Sequence, residues 1–307
     1  MIQQTEYKGE KAVIIGNDEV SFTFLTERGG TMVSAKKHEK EFLIQKPGCS
    51  FGTVPFDGRY TEAECAGMDD MFPTIDPFCY EKFPWSGAKL SDHGEIWNLP
   101  CRTEIEAQKI RFTFHGVRLP YIFRKNVYMK ADGVLRIDYS VENPTEFDMD
   151  FLWAAHIMLR ADPGLTLSVP ENCTKFQTVF QRNFYMGDYG DTYDYPIAVD
   201  DNGKVCDLST MDESCGRIIK FYFKEKVREG FCMVRYPDKS FIEMRFPKEC
   251  VPYLGILHSY NSAQGNRYLI VEPCTAPFDR PDIAKHMEKG SIIRANSLYN
   301  WWLEIKV

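Results

Sequence analysis

Apolar and polar residues alternate with a period of two along most of the chain. EVSFTFLTE, RFTFHGVRL, YIFRKNVYMK, VLRIDYSVEN, RIIKFYFKE, SFIEMRFP and YLIVEPC all alternate or run apolar at strand length. That period sends successive side chains to opposite faces of a strand. Turn residues separate the runs: Gly133, Asn143-Pro144, Pro163-Gly164, Asn202-Gly203, Pro237-Asp238 and Gly265-Asn266. One segment reads as a helix, PDIAKHMEKG from Pro281 to Gly290, with proline near its start and glycine at its end. Many strands and one short helix predict a large all-β sandwich or barrel. No boundary is visible, so a single domain over 1–307 is expected. The stretches 44–100 and 171–215 are polar, Gly/Pro-marked and aromatic, and read as long excursions from one sheet system. Loops of that length tend to carry function.

Composition narrows the class. The chain has 307 residues, 44% hydrophobic and 26% charged, as a globular protein does. Aromatic content of 14% suits half-buried sheets and ligand clefts alike. A net charge of −7 argues against nucleic acid or an anionic membrane surface as partner. No apolar run approaches the roughly 20 residues of a membrane span. MIQQTEYKGEK shows no secretory leader. The ten cysteines form no CxxC or CxxH pair, so zinc has little support. Buried reduced thiols in a cytoplasmic protein are the expectation.

Three histidines invite comparison: His93 in SDHGEIW, His156 in FLWAAHIML and His258 in GILHSY. A structural role is the default for each. His156 interrupts an apolar run, so once buried it must find a partner or face a cleft. Glu272 ends the apolar run of RYLIVEPC before a proline. It is either a paired structural acid or a base whose pKa desolvation raises toward the working range. The acids of TEAECAGMDDMFPTIDP lack calcium-loop spacing and read as a solvated loop. No phosphate loop, dinucleotide fingerprint or GxSxG elbow occurs.

ERGGTMVSAKK, GMDDMFPTIDP, SDHGEIWNLP, FLWAAHIML and YLIVEPCTAPFD follow one another in this order. In that order the chain resembles the aldose 1-epimerase (galactose mutarotase-like) superfamily, from about Val13 to the C-terminus. HGEIW and VEP are its most specific blocks. The resemblance implies an antiparallel β-supersandwich with very little helix and a sugar cleft on a concave face. It implies interconversion of the α and β anomers of an aldose, with neither metal nor organic cofactor. Glu272 then matches the general base, His156 the histidine that donates to the ring oxygen, and His93 the second active-site histidine. Arg59 in FDGRY stands for the substrate-binding arginine. Asp188, Asp191 and Asp194 are candidates for the acid that anchors distal hydroxyls, with Asp191 the central one. Trp97, Trp153 and Trp85 are candidate stacking platforms, with core packing the alternative for Trp153. Glu95 could orient His93 or contact a hydroxyl.

Other readings stay open. Many members follow the second histidine with proline and an aromatic, where this chain has HIML. That departure suits a non-catalytic carbohydrate-binding protein on the same scaffold. An epimerase for phosphorylated hexoses would need converging cations, for which Arg59, Lys89 and Arg102 are available. The expected partner is a small-molecule carbohydrate; oligomeric state is not legible.

Overall fold

In a computed structural model, residues 1–211, 217–260 and 267–307 are described. Cys215 and the Gly265-Asn266 turn lie outside them. Two antiparallel sheets dominate, one of 12 strands and one of 8. The expected all-β architecture is the observed one. Among the described residues the one α-helix is Pro281–His286, shorter than the predicted span because the chain turns at Met287 and Glu288 takes a left-handed φ of 58°. No helix among them is long and apolar enough to cross a membrane.

The alternation read from the sequence fixes what lies between the sheets. In the larger sheet, Phe22 and Phe24 of the Val20–Leu25 strand, Ile157 of Ala154–Arg160, Phe221 of Ile218–Phe223 and Val271 of Arg267–Cys274 enter the main core. The smaller sheet answers with Phe112, Phe123, Tyr139 and Trp301. Phe24 meets Phe112 at a ring separation of 6.0 Å, and Trp301 stacks on Tyr139 at 5.1 Å. The C-terminal strand Ser297–Lys306 sits inside the smaller sheet between Phe241–Arg245 and Leu135–Asn143.

One ion pair is buried in this core. Lys125 Nζ lies 2.8 Å from Asp70 Oδ2, and both side chains are almost wholly covered. Gly30 O accepts from the same ammonium at 2.6 Å, and Trp153 Nε1 donates to Asp70 Oδ1 at 3.0 Å. Each charge is thus paired and bonded, as burial requires. The acids of TEAECAGMDDMFPTIDP were expected in a solvated loop. Instead Asp69 and Asp70 are buried on the Met68–Met71 strand, next to Ala154–Arg160 in the larger sheet. A short acidic strand whose charges are met from other segments leaves no period to read.

The nine described cysteines are free; Cys173, Cys206, Cys232 and Cys274 are buried, whereas Cys49 and Cys79 are exposed.

Candidate active site

One face of the larger sheet carries a transverse row of polar side chains. Asp69 pairs with His156 across Met68–Met71 and Ala154–Arg160. The flanking pairs Ala154–Cys274 and Ile157–Val271 set His156 across from Glu272. Glu272 pairs with Gly255, and Gly255 with Tyr222. Residues from five strands therefore share one face, because registered neighbours point the same way. Lys220 stands two residues before Tyr222 and reaches the row diagonally.

Hydrogen bonds tie one half of the row together, and a close contact joins it to His156. His156 Nε2 lies 3.7 Å from Glu272 Oε1. Glu272 Oε2 takes the Lys220 ammonium at 3.2 Å and the Tyr222 hydroxyl at 3.3 Å. Asp279 Oδ1 accepts from both of those donors at 2.7 Å. Asp279 is held in turn by its backbone oxygen, which accepts from the Ile75 and Asp76 amides. Glu272 Oε1 is buried with no hydrogen-bond partner among the described residues. A buried carboxylate oxygen left open toward an imidazole is costly unless something else binds there. Gly255 makes the geometry possible. A Cβ there would come within 2.7 Å of the Tyr222 ring and 2.9 Å of Glu272 Oε2. Gly255→Ala should displace the carboxylate and cost about 1–3 kcal/mol of stability by overpacking, read as a lowered urea midpoint.

Burial raises the Glu272 carboxyl above its ordinary value, with Lys220 pulling the other way. Burial, with His93 and Lys220 adding, drives the His156 imidazole well below its ordinary value. Burial would lower Lys220 too, but Asp279 and Glu272 raise it overall, so it stays an ammonium. The site holds one acid of raised proton affinity and one neutral imidazole side by side. Groups whose environments move their pKa values in opposite directions are what acid–base work at neutral pH requires.

His93 reaches the same place from the 44–100 excursion. Its ring is stacked on Tyr60 at 4.2 Å and lies edge-on to His156 at 5.4 Å. Its Nδ1 is 2.7 Å from Asp92 Oδ1, and its amide donates to Ile75 O. The turn is tight: His93 has φ 60° and Gly94 φ 73°, and a Cβ on Gly94 would sit 2.2 Å from Phe72 O. Only glycine fits there. Burial acts against the Asp92 carboxylate, but the His93 ring, the Tyr60 amide and Arg59 hold its pKa below the ordinary value. Arg59 is exposed beside it.

Three candidates from the sequence fall elsewhere. Trp153 is fully buried against Tyr139 and Trp301, with its indole bonded to Asp70. It precedes His156 by three positions, an odd offset that sends it to the core face. Glu95 is buried and accepts from the Val117 and Arg118 amides and the Tyr121 hydroxyl. It anchors a loop; the left-handed turn at His93 and Gly94 breaks the extended geometry that would put it beside His93. Asp191 is exposed and accepts the Asp188 amide within its own turn. Trp97 is close to the histidines but nearly covered. It packs edge-on against Tyr60 at 5.1 Å and donates to Asp92 O, so it braces the site wall. Trp85 packs edge-on against Tyr80 at 6.0 Å.

Sequence reasoning passed over Lys220, Tyr222, Tyr60, Asp92 and Asp279. Lys220 in RIIKFYF had the signature that singled out His156, a polar residue inside an apolar strand. A groove of about 540 Å³ lies apart from the row, lined by Phe78, Tyr80, Lys82, Asp150, Lys285 and His286 among others.

No protein-family model matches this sequence, and no curated protein matches it. Solved structures do. The Slr1438 protein from Synechocystis sp. PCC 6803 superposes with a TM-score of 0.71 at 16% identity, covering 97% of this chain and 95% of that one. A galactose mutarotase-like protein from Clostridium acetobutylicum gives 0.69 at 16% identity over 100% and 98% of the two chains. A galactose mutarotase related enzyme from Lactobacillus acidophilus gives 0.67 at 15% identity over 96% of each. At such identities these likenesses establish the fold: it is the galactose mutarotase-like β-sandwich.

Proposed function

We propose that residues 1–307 form one sugar-handling domain that acts as an aldose 1-epimerase-like isomerase. The observation that carries this reading is the pair His156 Nε2 and Glu272 Oε1, 3.7 Å apart and buried, with Oε1 open. Anomer exchange moves protons at two oxygens, the anomeric hydroxyl and the ring oxygen. Both are bonded to one carbon, so the groups that serve them must be near neighbours.

Glu272 Oε1 takes the anomeric hydroxyl proton, and the new carbonyl forms as the bond from the anomeric carbon to the ring oxygen breaks. The departing electron pair on the ring oxygen receives the proton of His156 Nε2. Rotation about the first carbon–carbon bond presents the other carbonyl face. The reverse transfers close the ring and restore both residues. Lys220 and Tyr222 fix Glu272 Oε2, so that Oε1 alone exchanges protons. His93 polarises the same end of the sugar, with Arg59 and Asp92 at the rim. Because Glu272 and His156 are covered, sugar entry includes a parting of the covering side chains.

An uncharged aldose fits best. Arg102, one of the cations available for a phosphate, pairs with Glu104 on the Arg102–Ile105 strand of the smaller sheet. Asp76, Asp92 and Asp279 lie close around the row; burial and then the Asp279 carboxylate raise the Asp76 carboxyl, with Lys220 opposing. Polarimetry on freshly dissolved pure anomers tests the reading. Wild-type protein should speed the decay of optical rotation for a neutral aldose, and more than for its phosphate ester. Sugar binding without acceleration for any aldose would leave only a carbohydrate-binding role.

A further inference from the structure

The acid half of this scheme has a buried group behind it that the scheme does not use. Asp69 neighbours His156 in the transverse row, and Tyr60 bridges the two. The Tyr60 hydroxyl lies 2.8 Å from Asp69 Oδ2 and 3.3 Å from His156 Nδ1. Thr31 Oγ1 donates to the other Asp69 oxygen at 2.6 Å. All four side chains are buried.

A phenol has one proton, so between Asp69 and His156 Tyr60 donates to one and accepts from the other, with Met158 Sδ at 3.8 Å only a weak third acceptor. Two arrangements follow. With Asp69 ionised, Tyr60 donates to Asp69, and His156 must carry its proton on Nδ1. Nε2 is then bare and has nothing to give a ring oxygen. With Asp69 protonated, Asp69 donates to Tyr60 and Tyr60 donates to Nδ1. The imidazole proton then sits on Nε2, on the side of Glu272. Only the second arrangement holds an acid where the sugar would lie. A neutral imidazole that gives up its Nε2 proton must also regain one at Nδ1, or it is left as an anion in a dry site.

We propose that Asp69 is the proton reservoir for ring opening, supplying His156 through the Tyr60 hydroxyl. This rests on the epimerase reading above. The Asp69 carboxyl proton passes to the Tyr60 oxygen as the phenol proton passes to His156 Nδ1. The Nε2 proton passes to the ring oxygen as its bond to the anomeric carbon breaks. The products are an ionised Asp69, an intact Tyr60 and the Nδ1–H tautomer. That is the first arrangement, so the two bonding patterns are the two ends of one relay. Ring closure returns each proton along the same path.

The charges around Asp69 bear on when the reservoir is full. Lys125 reaches in from the Ile122–Met129 strand of the smaller sheet and favours the ionised form, though its ammonium is bonded to Asp70 at 2.8 Å. Asp70, on Asp69's own strand, favours the protonated form. Thr31, Tyr60 and His156 surround it, and the Cys65 thiol, whose pKa burial raises, lies within its field. Burial outweighs the bonds from Thr31 and Tyr60, pushing the Asp69 carboxyl up to about 6.

Ring-nitrogen NMR of protein labelled with nitrogen-15 histidine tests the relay, with His156→Gln assigning the signal. The proton should sit on Nε2 at low pH and move to Nδ1 with a midpoint near about 6. Tyr60→Phe keeps the ring that stacks on His93 but cuts the relay. It should fix the tautomer and lower kcat ~100-fold with KM little changed. Asp69→Asn should hold the Nε2–H form at every pH, and also lower kcat. A wild-type His156 tautomer that does not respond to pH overturns the relay. So does a Tyr60→Phe enzyme with wild-type kcat and pH profile. Wild-type protein inert toward every aldose overturns the epimerase reading and the relay with it, whereas an active wild type with a fixed tautomer overturns the relay alone.

Discussion

Glu272→Gln is expected to abolish mutarotation, lowering the polarimetric rate by ~1,000-fold or more, within the range for removal of a positioned general base. The amide keeps the shape of the carboxyl but has no lone pair able to take the anomeric proton at neutral pH. Folding should survive. Lys220 still has Asp279 at 2.7 Å, and Tyr222 still has the same carboxylate. The neutral amide also ends the burial of a charge at a wholly covered position. Melting near the wild-type temperature with no turnover is the expected pattern. Turnover within a few-fold of wild type would remove Glu272 from the mechanism.

Lys220→Met is expected to act on stability first. It leaves two buried carboxylates, Glu272 and Asp279, sharing the Tyr222 hydroxyl as their remaining donor of this group. Removing one partner from a buried ion pair costs about 3–5 kcal/mol. Thermal unfolding should show a drop of several degrees at least. Activity should also change its pH dependence. Lys220 lowers the Glu272 pKa against the effect of burial. Without the ammonium that pKa rises, so the pH below which the base is lost moves upward. Residual activity should be confined to a narrower pH range, because the Asp69 reservoir empties above about 6. An unchanged acid limb would mean that Lys220 does not act on the base.

Period-two alternation carried the fold. It gave the all-β class, while proline and glycine punctuation gave the helix that begins at Pro281. It also marked His156 and Glu272, because each breaks an apolar run that must lie in a sheet. Their meeting was not legible, since register depends on which strands pair and no local pattern states that. Lys220 shows the gap most clearly. In sequence it is a lysine among isoleucines and phenylalanines; its reason appears only when Gly255 and Glu272 arrive beside it from elsewhere in the chain. Trp153 and Glu95 failed for the opposite reason. They are close in sequence to His156 and His93, but strand alternation and a left-handed turn put them on other faces. Asp69 was misread because a short strand of consecutive acids looks like a loop until its partners from Thr31, Tyr60 and Lys125 are in place.

The transverse row has one more consequence. Asp69, His156, Glu272 and Tyr222 share a face only in the native pairing. A slip of one residue between any two of these strands would turn one member into the apolar interior. Catalysis would stop even if most of the secondary structure remained. On the proposed epimerase reading, turnover would serve as a proofreading signal for strand alignment. During refolding from denaturant, circular dichroism should recover ahead of activity, and the lag between them should measure the time spent correcting misaligned ladders.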